Sequence, residues 1–137
     1  MKQKILVTGG TGYIGSHTVV ELQNSGYEVV IIDNLSNSSS DVVDNIEKVS
    51  GVRPIFEELD CLDYEGLNTV FAKHKGIKAI IHFAASKAVG ESVQKPLLYY
   101  RNNLLSLINI LELMPQHGVE GIVFSSSCTV YGQPDEL

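Results

Sequence analysis

The 137-residue chain is 44% apolar and 19% charged, which fits one compact globular domain. Its formal net charge of -6 argues against nucleic acid and anionic membrane surfaces as partners, because both carry negative charge themselves. No apolar stretch is long enough for a signal-peptide core or a membrane span, and Cys61 and Cys128 lack the spacing of metal ligands or of a disulfide framework. We therefore expect a cytoplasmic protein without a bound metal.

Short runs rich in Ile and Val alternate along the chain with longer segments whose apolar residues recur every three or four positions. This alternation predicts β-strands separated by helices. The expected strands are Lys4–Val7, Glu28–Ile32, Arg53–Glu57, Lys78–His82 and Gly121–Phe124. Because several strands are apolar on both faces, and because parallel strands need helical crossovers, we predict a doubly wound parallel α/β sheet. No linker is visible, so residues 1–137 are expected to belong to one domain.

The first strand leads directly into the segment TGGTGYIGSH, residues 8–17, which contains Gly9, Gly12 and Gly15. Glycines at this spacing permit a tight turn, close approach of the backbone to a ligand and close packing of helix against strand. A helix is predicted over residues 13–25, and the unpaired N–H groups at its start can hold a pyrophosphate without a basic side chain. The turn therefore predicts a dinucleotide in a Rossmann-type fold.

The second predicted strand is followed directly by Asp33, about twenty residues after the glycine turn. A carboxylate at this place can accept hydrogen bonds from the adenosine ribose. It also repels a 2′-phosphate, which favours NAD over NADP. The alternative is a glycine-rich turn followed by an aspartate that is only solvated.

The remaining strand ends contribute residues to the same predicted crevice, because ligands of open α/β sheets bind at the carboxyl ends of the strands. These ends read Asp60-Cys61, Phe83-Ala84-Ala85 and Ser125-Ser126-Ser127. Asp60 could accept a hydrogen bond from an adenine amino group, and two small alanines let a cofactor approach the backbone. On the residues alone, Asp60 could equally be a helix N-cap, the alanines tight packing and the serines turn residues. His82, on an apolar strand, is expected to be structural.

Four segments together resemble a known family. They are TGGTGYIGSH at 8–17, DNLSN at 33–37, HFAASKAVGESVQKPLLYYRNN at 82–103 and SSSCTVYG at 125–132. They are similar to the UDP-glucose (UDP-galactose) 4-epimerases of the extended short-chain dehydrogenase/reductase class. The glycine turn is shared by the whole class, whereas KAVGESVQKP is narrower and indicates the epimerases. Cys61 and Ala85 depart from the aliphatic residue and the glycine that are frequent in the family, which affects packing more than chemistry.

The resemblance implies an NAD site built from all four segments and from the end of the third strand. The implied cofactor-binding residues are Gly9, Gly12, Tyr13, Ile14, Gly15, Asp33, Asn34, Leu35, Ser36, Asn37, Ser38, Asp60, Cys61, Phe83, Ala84, Ala85, Lys87 and Asn102. Ser127 is the implied catalytic residue, which hydrogen-bonds the 4-oxygen of the sugar and helps to relay its proton.

The implied activity is the NAD-dependent interconversion of UDP-galactose and UDP-glucose through a transient 4-keto sugar. A tyrosine base removes the 4-hydroxyl proton while hydride leaves C4 for the nicotinamide and later returns to the other face. The alternatives are a nucleotide-sugar 4,6-dehydratase or decarboxylase of the same family and a dinucleotide-binding module without turnover. Dehydratases usually have acid-base residues directly after the serine motif, whereas this chain has Cys128-Thr129-Val130-Tyr131, which favours the epimerase.

The sequence lacks the catalytic tyrosine base that the resemblance implies. The resemblance implies a Tyr-x-x-x-Lys pair, in which the lysine charge lowers the tyrosine pKa, yet none of the six tyrosines is followed four positions later by lysine. We therefore expect an incomplete NAD-binding domain, without the final strands of the sheet or the carboxy-terminal substrate domain, and no activity from this chain alone.

One predicted helix carries more apolar surface than a single core-facing stripe requires. Its apolar residues lie in the runs 97–100 and 104–111. Pairing of this surface with a second copy would give a two-fold homodimer, as the resemblance also implies. The alternative is a helix that is buried on both sides within one subunit.

Overall fold

In the computed structural model of the protein, residues 2–86 and 89–126 are described. They form a five-stranded parallel sheet in the order β3-β2-β1-β4-β5. The strands are β1 (Lys4–Thr8), β2 (Glu28–Asp33), β3 (Ile55–Glu58), β4 (Ile77–His82) and β5 (Gly121–Phe124). The helices are α1 (Tyr13–Asn24), α2 (Asp41–Ser50), α3 (Tyr64–Lys73), α4 (Val89–Gln94) and α5 (Pro96–Gln116). The predicted doubly wound sheet of Rossmann type is confirmed.

The strand boundaries differ from the prediction most clearly at β3, which begins at Ile55 rather than at Arg53. Pro54 has no N–H group and cannot donate to a sheet ladder. Arg53 instead directs its guanidinium to α2, where Nη1 lies 2.7 Å from both Asp44 Oδ1 and Glu47 Oε2. The residues before Ile55 therefore connect α2 to the strand without pairing in the sheet.

The core has one layer on each face of the sheet, because successive side chains of a strand point to opposite faces. Val30 and Ile32 of β2 pack in the cluster that contains residues of α3 and α5. Val29 and Ile31 pack in the cluster that contains residues of α1 and α2. Burial of each such side chain stabilises the fold by about 1.5–3 kcal/mol, which explains why β2 is apolar on both faces.

The order of the strands determines where a ligand can bind. β1 pairs with β2 on one side and with β4 on the other. The chain therefore places β2 and β3 on one side of β1 and then returns to place β4 and β5 on the other side, so the order in which strands are added reverses at β1. In open α/β sheets the ligand crevice lies outside the carboxyl ends of the strands at such a reversal. The turns after β1 and β4 therefore face the same crevice.

Within residues 2–86 and 89–126, no helix combines the length and the apolar character needed to cross a membrane. The same residues contain no group of three or more His, Cys, Asp or Glu side chains that could hold a metal ion.

Candidate functional site

A cavity of about 600 Å³ lies at the carboxyl ends of the strands. It brings together nearly all the cofactor-binding residues predicted from the sequence. Those that line it are Gly9, Gly12, Tyr13, Ile14, Gly15, Asp33, Asn34, Ser36, Asn37, Ser38, Asp60, Cys61, Phe83, Ala84, Ala85 and Asn102. The predicted residues Lys87 and Ser127 lie outside the described residues.

The glycine turn is packed tightly against its surroundings. Gly9 has a φ of +69°, and a Cβ atom added there would lie 2.8 Å from the backbone N of Ala84 at the end of β4. A Cβ atom at Gly15 would collide with the carbonyl oxygen of Gly9. Gly12 is less constrained by the protein, because its closest neighbour would be the Gly9 oxygen at 3.3 Å. The first and third glycines are therefore required by packing, whereas Gly12 leaves space for a ligand at the cavity wall.

The start of α1 offers backbone donors to the cavity. Gly12 is the N-cap, no side chain caps the helix, and its first turn contains no acidic residue. The first hydrogen bond of the helix joins the Ser16 N–H to the Gly12 carbonyl. The N–H groups of Tyr13, Ile14 and Gly15 remain for a ligand, and the helix dipole places partial positive charge at this end. Since the described residues that line the cavity include no Lys or Arg, these N–H groups are its main binding site for an anion.

Asp33 connects the glycine turn to the loop after β2. Its Oδ2 accepts a hydrogen bond from the Thr11 N–H at 3.2 Å, and its Oδ1 accepts from the Leu35 N–H at 3.0 Å and from Ser38 Oγ at 3.4 Å. The hydroxyl groups of Thr11 and Ser38 also lie 2.6 Å apart. The Asp33 carboxylate is therefore fixed in place by its neighbours, and the alternative of a merely solvated aspartate is wrong.

Leu35 corrects one expectation from the sequence. Among the described residues it is the single predicted cofactor-binding residue that does not line the cavity. Its backbone is in the left-handed region, with a φ of +56°, and its N–H group bonds the Asp33 carboxylate. Leu35 thus contributes through its backbone to the position of Asp33.

Asp60 is held on both oxygens. Its Oδ2 accepts from Asn34 Nδ2 at 3.0 Å, and its Oδ1 accepts from the Leu62 N–H at 2.9 Å. The alternative that Asp60 caps α3 is wrong, because Asp63 is the N-cap and accepts from the Gly66 N–H at 3.0 Å. Asp60 therefore remains available as a polar group of the cavity.

Cys61 lines the cavity as a buried, protonated thiol. Burial raises the pKa of its thiol to about 12, and the charges of Asp60 and Asp33 act in the same direction. A thiol in this state is not a nucleophile at neutral pH. It acts as a small apolar group, in contact with the core cluster of α3 and α5.

The end of β4 is fixed by a buried polar pair. The Thr8 hydroxyl lies 2.6 Å from His82 Nδ1, and Thr8 Oγ1 accepts a hydrogen bond from the Ala84 N–H at 3.4 Å. Burial lowers the pKa of His82 to about 4, so the ring is neutral at pH 7, and it stacks on Phe124. The expectation that His82 is structural is confirmed. Ala84 both packs against the core and lines the cavity, so its two proposed roles coexist.

The sequence analysis missed several polar residues that shape the cavity. The side-chain amide of Asn103 on α5 bonds both backbone groups of Ser86, accepting from its N–H at 2.8 Å and donating to its oxygen at 3.1 Å. Ser106 is buried one turn further along and also lines the cavity. A sequence signal exists, because polar residues recur at helical spacing on one side of an apolar helix. Thr11 has no comparable signal, since its contacts depend on the loop after β2.

The arrangement suits a long polar ligand with charge near its middle. The N–H groups at the start of α1 are suited to a pyrophosphate. The carboxylates of Asp33 and Asp60 line the same cavity, where they can accept hydrogen bonds from sugar hydroxyl and amino groups. These backbone donors and carboxylate acceptors, which line one cavity, fit a dinucleotide such as NAD.

Comparisons with known proteins support the interpretation of this cavity as an NAD site. Residues 5–137 match the NAD dependent epimerase/dehydratase family. The UDP-glucose 4-epimerase of Bacillus subtilis (strain 168) is 56% identical over 131 residues, which are 96% of this chain and 38% of that protein. The chain thus spans well under half the length of this curated relative.

Solved structures of UDP-glucose 4-epimerases also align with nearly the whole of this chain. The UDP-glucose 4-epimerase of Bifidobacterium longum, in complex with NAD+ and UDP, aligns with a TM-score of 0.92 and 47% identity, over 98% of this chain and 40% of that one. The enzyme of Stenotrophomonas maltophila, with bound NAD and formylated UDP-arabinopyranose, aligns with a TM-score of 0.91 and 46% identity, again over 98% and 40%. The fold, the glycine turn and the family match together show that this chain belongs to the NAD dependent epimerase/dehydratase family.

Proposed function

We propose that this chain binds NAD in the crevice and forms part of an enzyme that interconverts UDP-galactose and UDP-glucose. The observation that carries the proposal is the bonding of Asp33 to the glycine turn through Thr11, which unites a pyrophosphate site and a ribose acceptor in one cavity. The similarity to UDP-glucose 4-epimerases over 96% or more of the chain supports the choice of reaction.

The proposed contacts follow the length of the cavity. The N–H groups at the start of α1, beside Tyr13 and Ile14, bind the pyrophosphate. The loop after β2 surrounds the adenosine ribose, and Asp60 with Cys61 forms the adenine end. Phe83, Ala84, Ala85 and Asn102 lie on the side proposed for the nicotinamide. When bound, NAD supplies the acceptor for the hydride of the sugar C4 and afterwards returns it.

Asp33 is the proposed determinant of cofactor choice. An ionised carboxylate offers about four lone-pair positions, and three are occupied by Thr11, Leu35 and Ser38. A position therefore remains for a ribose hydroxyl donor. A 2′-phosphate at the same place would meet a like charge, and the described residues that line the cavity include no Lys or Arg to balance it, which favours NAD.

The proton chemistry is assigned to residues outside the described ones. Ser127 is proposed to hydrogen-bond the 4-oxygen and to relay its proton, and Lys87 is proposed to contact the cofactor. Support comes from the family resemblance and from the position of the serine run directly after β5, where the Ser125 N–H donates to the His82 carbonyl at 3.2 Å. The printed sequence contains no Tyr-x-x-x-Lys pair, so we propose that the base lies outside these 137 residues.

A second copy of the chain is the proposed partner of α5. Leu97, Tyr100, Leu104, Ile108 and Leu111 form one stripe at helical spacing, and each side chain is 45% exposed or more. The described residues do not cover this stripe, so it is open to a second copy. Isologous packing of two such helices would remove the apolar stripe from water.

The reaction can be tested with a chimera in which this chain replaces the matching segment of the Bacillus subtilis relative. We expect the chimera to convert UDP-galactose to UDP-glucose, and the 137-residue chain alone to show no turnover with NAD present. Chromatography of the nucleotide sugars measures both products. An inactive but folded chimera, or one that forms a water-loss product, would contradict the proposal.

A further inference from the structure

One amide side chain of α5 bonds the loop that follows β3. Asn109 Nδ2 lies 3.0 Å from the carbonyl oxygen of Cys61, 48 residues earlier in the chain, and 3.3 Å from that of Leu62. An amide nitrogen carries two N–H donors, so this group can serve both carbonyls. The loop is thereby fastened to α5, which packs in the same core cluster as α3.

The same loop positions the carboxylate of Asp60. The Leu62 N–H donates to Asp60 Oδ1, and the Leu62 carbonyl accepts from Asn109. Leu62 is therefore held through its N–H by the side chain that lines the cavity and through its C=O by α5. A displacement of Leu62 would disturb Asp60, whose other oxygen is held only by Asn34 among the described contacts.

We propose that Asn109 is a positioning residue for the adenine end of the cavity, acting through Cys61 and Leu62 on Asp60. Asn109 does not line the cavity itself, so it does not contact the ligand. The effect is confined to one end, because the contacts of Asn109 reach the loop after β3 and not the glycine turn or the loop after β4. This inference rests on the proposed binding of NAD.

The test compares two halves of the dinucleotide. In Asn109→Asp the donor is replaced by a carboxylate of similar shape that faces two carbonyl oxygens. We expect the Kd values of the 137-residue chain for AMP and NAD to rise about tenfold, since about one to two hydrogen bonds are lost. The Kd for nicotinamide mononucleotide should stay unchanged. Asn109→Gln, which keeps the amide donor on a longer side chain, should recover part of the AMP affinity.

The control is Gln116→Leu on the same helix. This change removes a hydrogen bond of 3.1 Å to the Tyr64 hydroxyl, remote from the cavity lining, and should leave all three affinities unchanged. Circular dichroism checks folding, and Asn109→Ser replaces Asn109→Asp if the latter unfolds.

Three outcomes would overturn the inference. They are equal weakening of AMP and nicotinamide mononucleotide binding, unchanged AMP affinity in a folded Asn109→Asp variant, and unfolding of both Asn109→Asp and Asn109→Ser. If the unaltered chain bound neither NAD nor AMP, the proposed function would fail as well. If the unaltered chain binds NAD and AMP, and Asn109→Asp binds them with the same affinity, only the positioning role of Asn109 is overturned.

Discussion

Individual polar residues of the cavity serve its structure as well as its proposed ligand. Asp33 bonds the glycine turn and the loop after β2, and Asp60 bonds Asn34 and Leu62. Both carboxylates are therefore oriented before any ligand binds. This reduces the ordering that binding would require, which is a general source of affinity.

Charge and shape at Asp33 can be separated by substitution. Asp33→Asn keeps the size of the side chain but removes the charge that opposes a 2′-phosphate. We expect the preference for NAD over NADP to fall by about tenfold, mainly through tighter NADP binding. Calorimetric titration of the unaltered chain and the variant with both dinucleotides measures the ratio.

Thr11→Val is the matched control for that experiment. It removes the hydroxyl contact with Ser38, but it keeps the Thr11 N–H bond to Asp33 and the carboxylate charge. NAD affinity should fall a few-fold while the preference over NADP stays the same. A change of preference in Thr11→Val as large as that in Asp33→Asn would refute the charge argument.

His82 makes stability dependent on pH. Burial lowers the pKa of its ring to about 4, whereas the ring titrates near 6.5 in the unfolded chain. Between these values the unfolded state binds the extra proton, so stability is present above about pH 6.5 and is lost as the pH falls toward 4. Relative to a His82→Asn variant, we expect the unaltered chain to lose about 2–3 kcal/mol more between about pH 7 and pH 4.5.

Urea unfolding of both proteins at the two pH values provides this comparison. The carboxylates titrate in both proteins, so their contribution cancels in the difference. An equal loss of stability in the two proteins would show that His82 is not kept neutral by the fold.

At the scale of whole elements, the sequence pattern predicted more of the fold than of the contacts between loops. The strands were predictable because the central strands β1 and β2 are buried on both faces and therefore contain uninterrupted apolar runs. The start of β3 was misplaced because Pro54 outweighs the pattern of the residues around it. The left-handed turn at Leu35 and the Asn103 bond to Ser86 were not predictable, since both depend on how separate loops meet.

The exposed stripe of α5 leads to a prediction about assembly. Ile108→Asp places a charge in the middle of the stripe, where a second copy would have to bury it, so the dimer should dissociate. We expect light scattering at protein concentrations of tens of micromolar to report a dimer for the unaltered chain and a monomer for the variant.

Glu65→Lys on the exposed surface of α3 is the control for assembly, because it changes charge away from the stripe and should leave the dimer intact. A monomer in the unaltered chain, or dissociation by Glu65→Lys to the same extent as by Ile108→Asp, would argue against pairing through α5.

At the scale of the whole molecule, one cavity is assembled from the turns that follow the four strands β1, β2, β3 and β4. The strand order brings these turns together, which is why Asp33, Asp60 and Ala84 could be predicted from the positions of strand ends, whereas Asn102 on α5 was implied by the family resemblance. Hydrogen bonds then join the turns in pairs, as between Thr11 and Asp33 and between Asn34 and Asp60. These pairings need the three-dimensional arrangement, and they give the cavity its fixed donors and acceptors.

The central claim is that this cavity is an NAD site whose ribose end is defined by Asp33. Calorimetric titration of the nucleotide-free 137-residue chain with NAD and, separately, with NADP tests it most directly. The account predicts one NAD bound per chain and a Kd for NADP at least about tenfold higher, because of the like charge at the 2′-position. Absence of NAD binding by the folded chain, or equal affinity for the two dinucleotides, would contradict it.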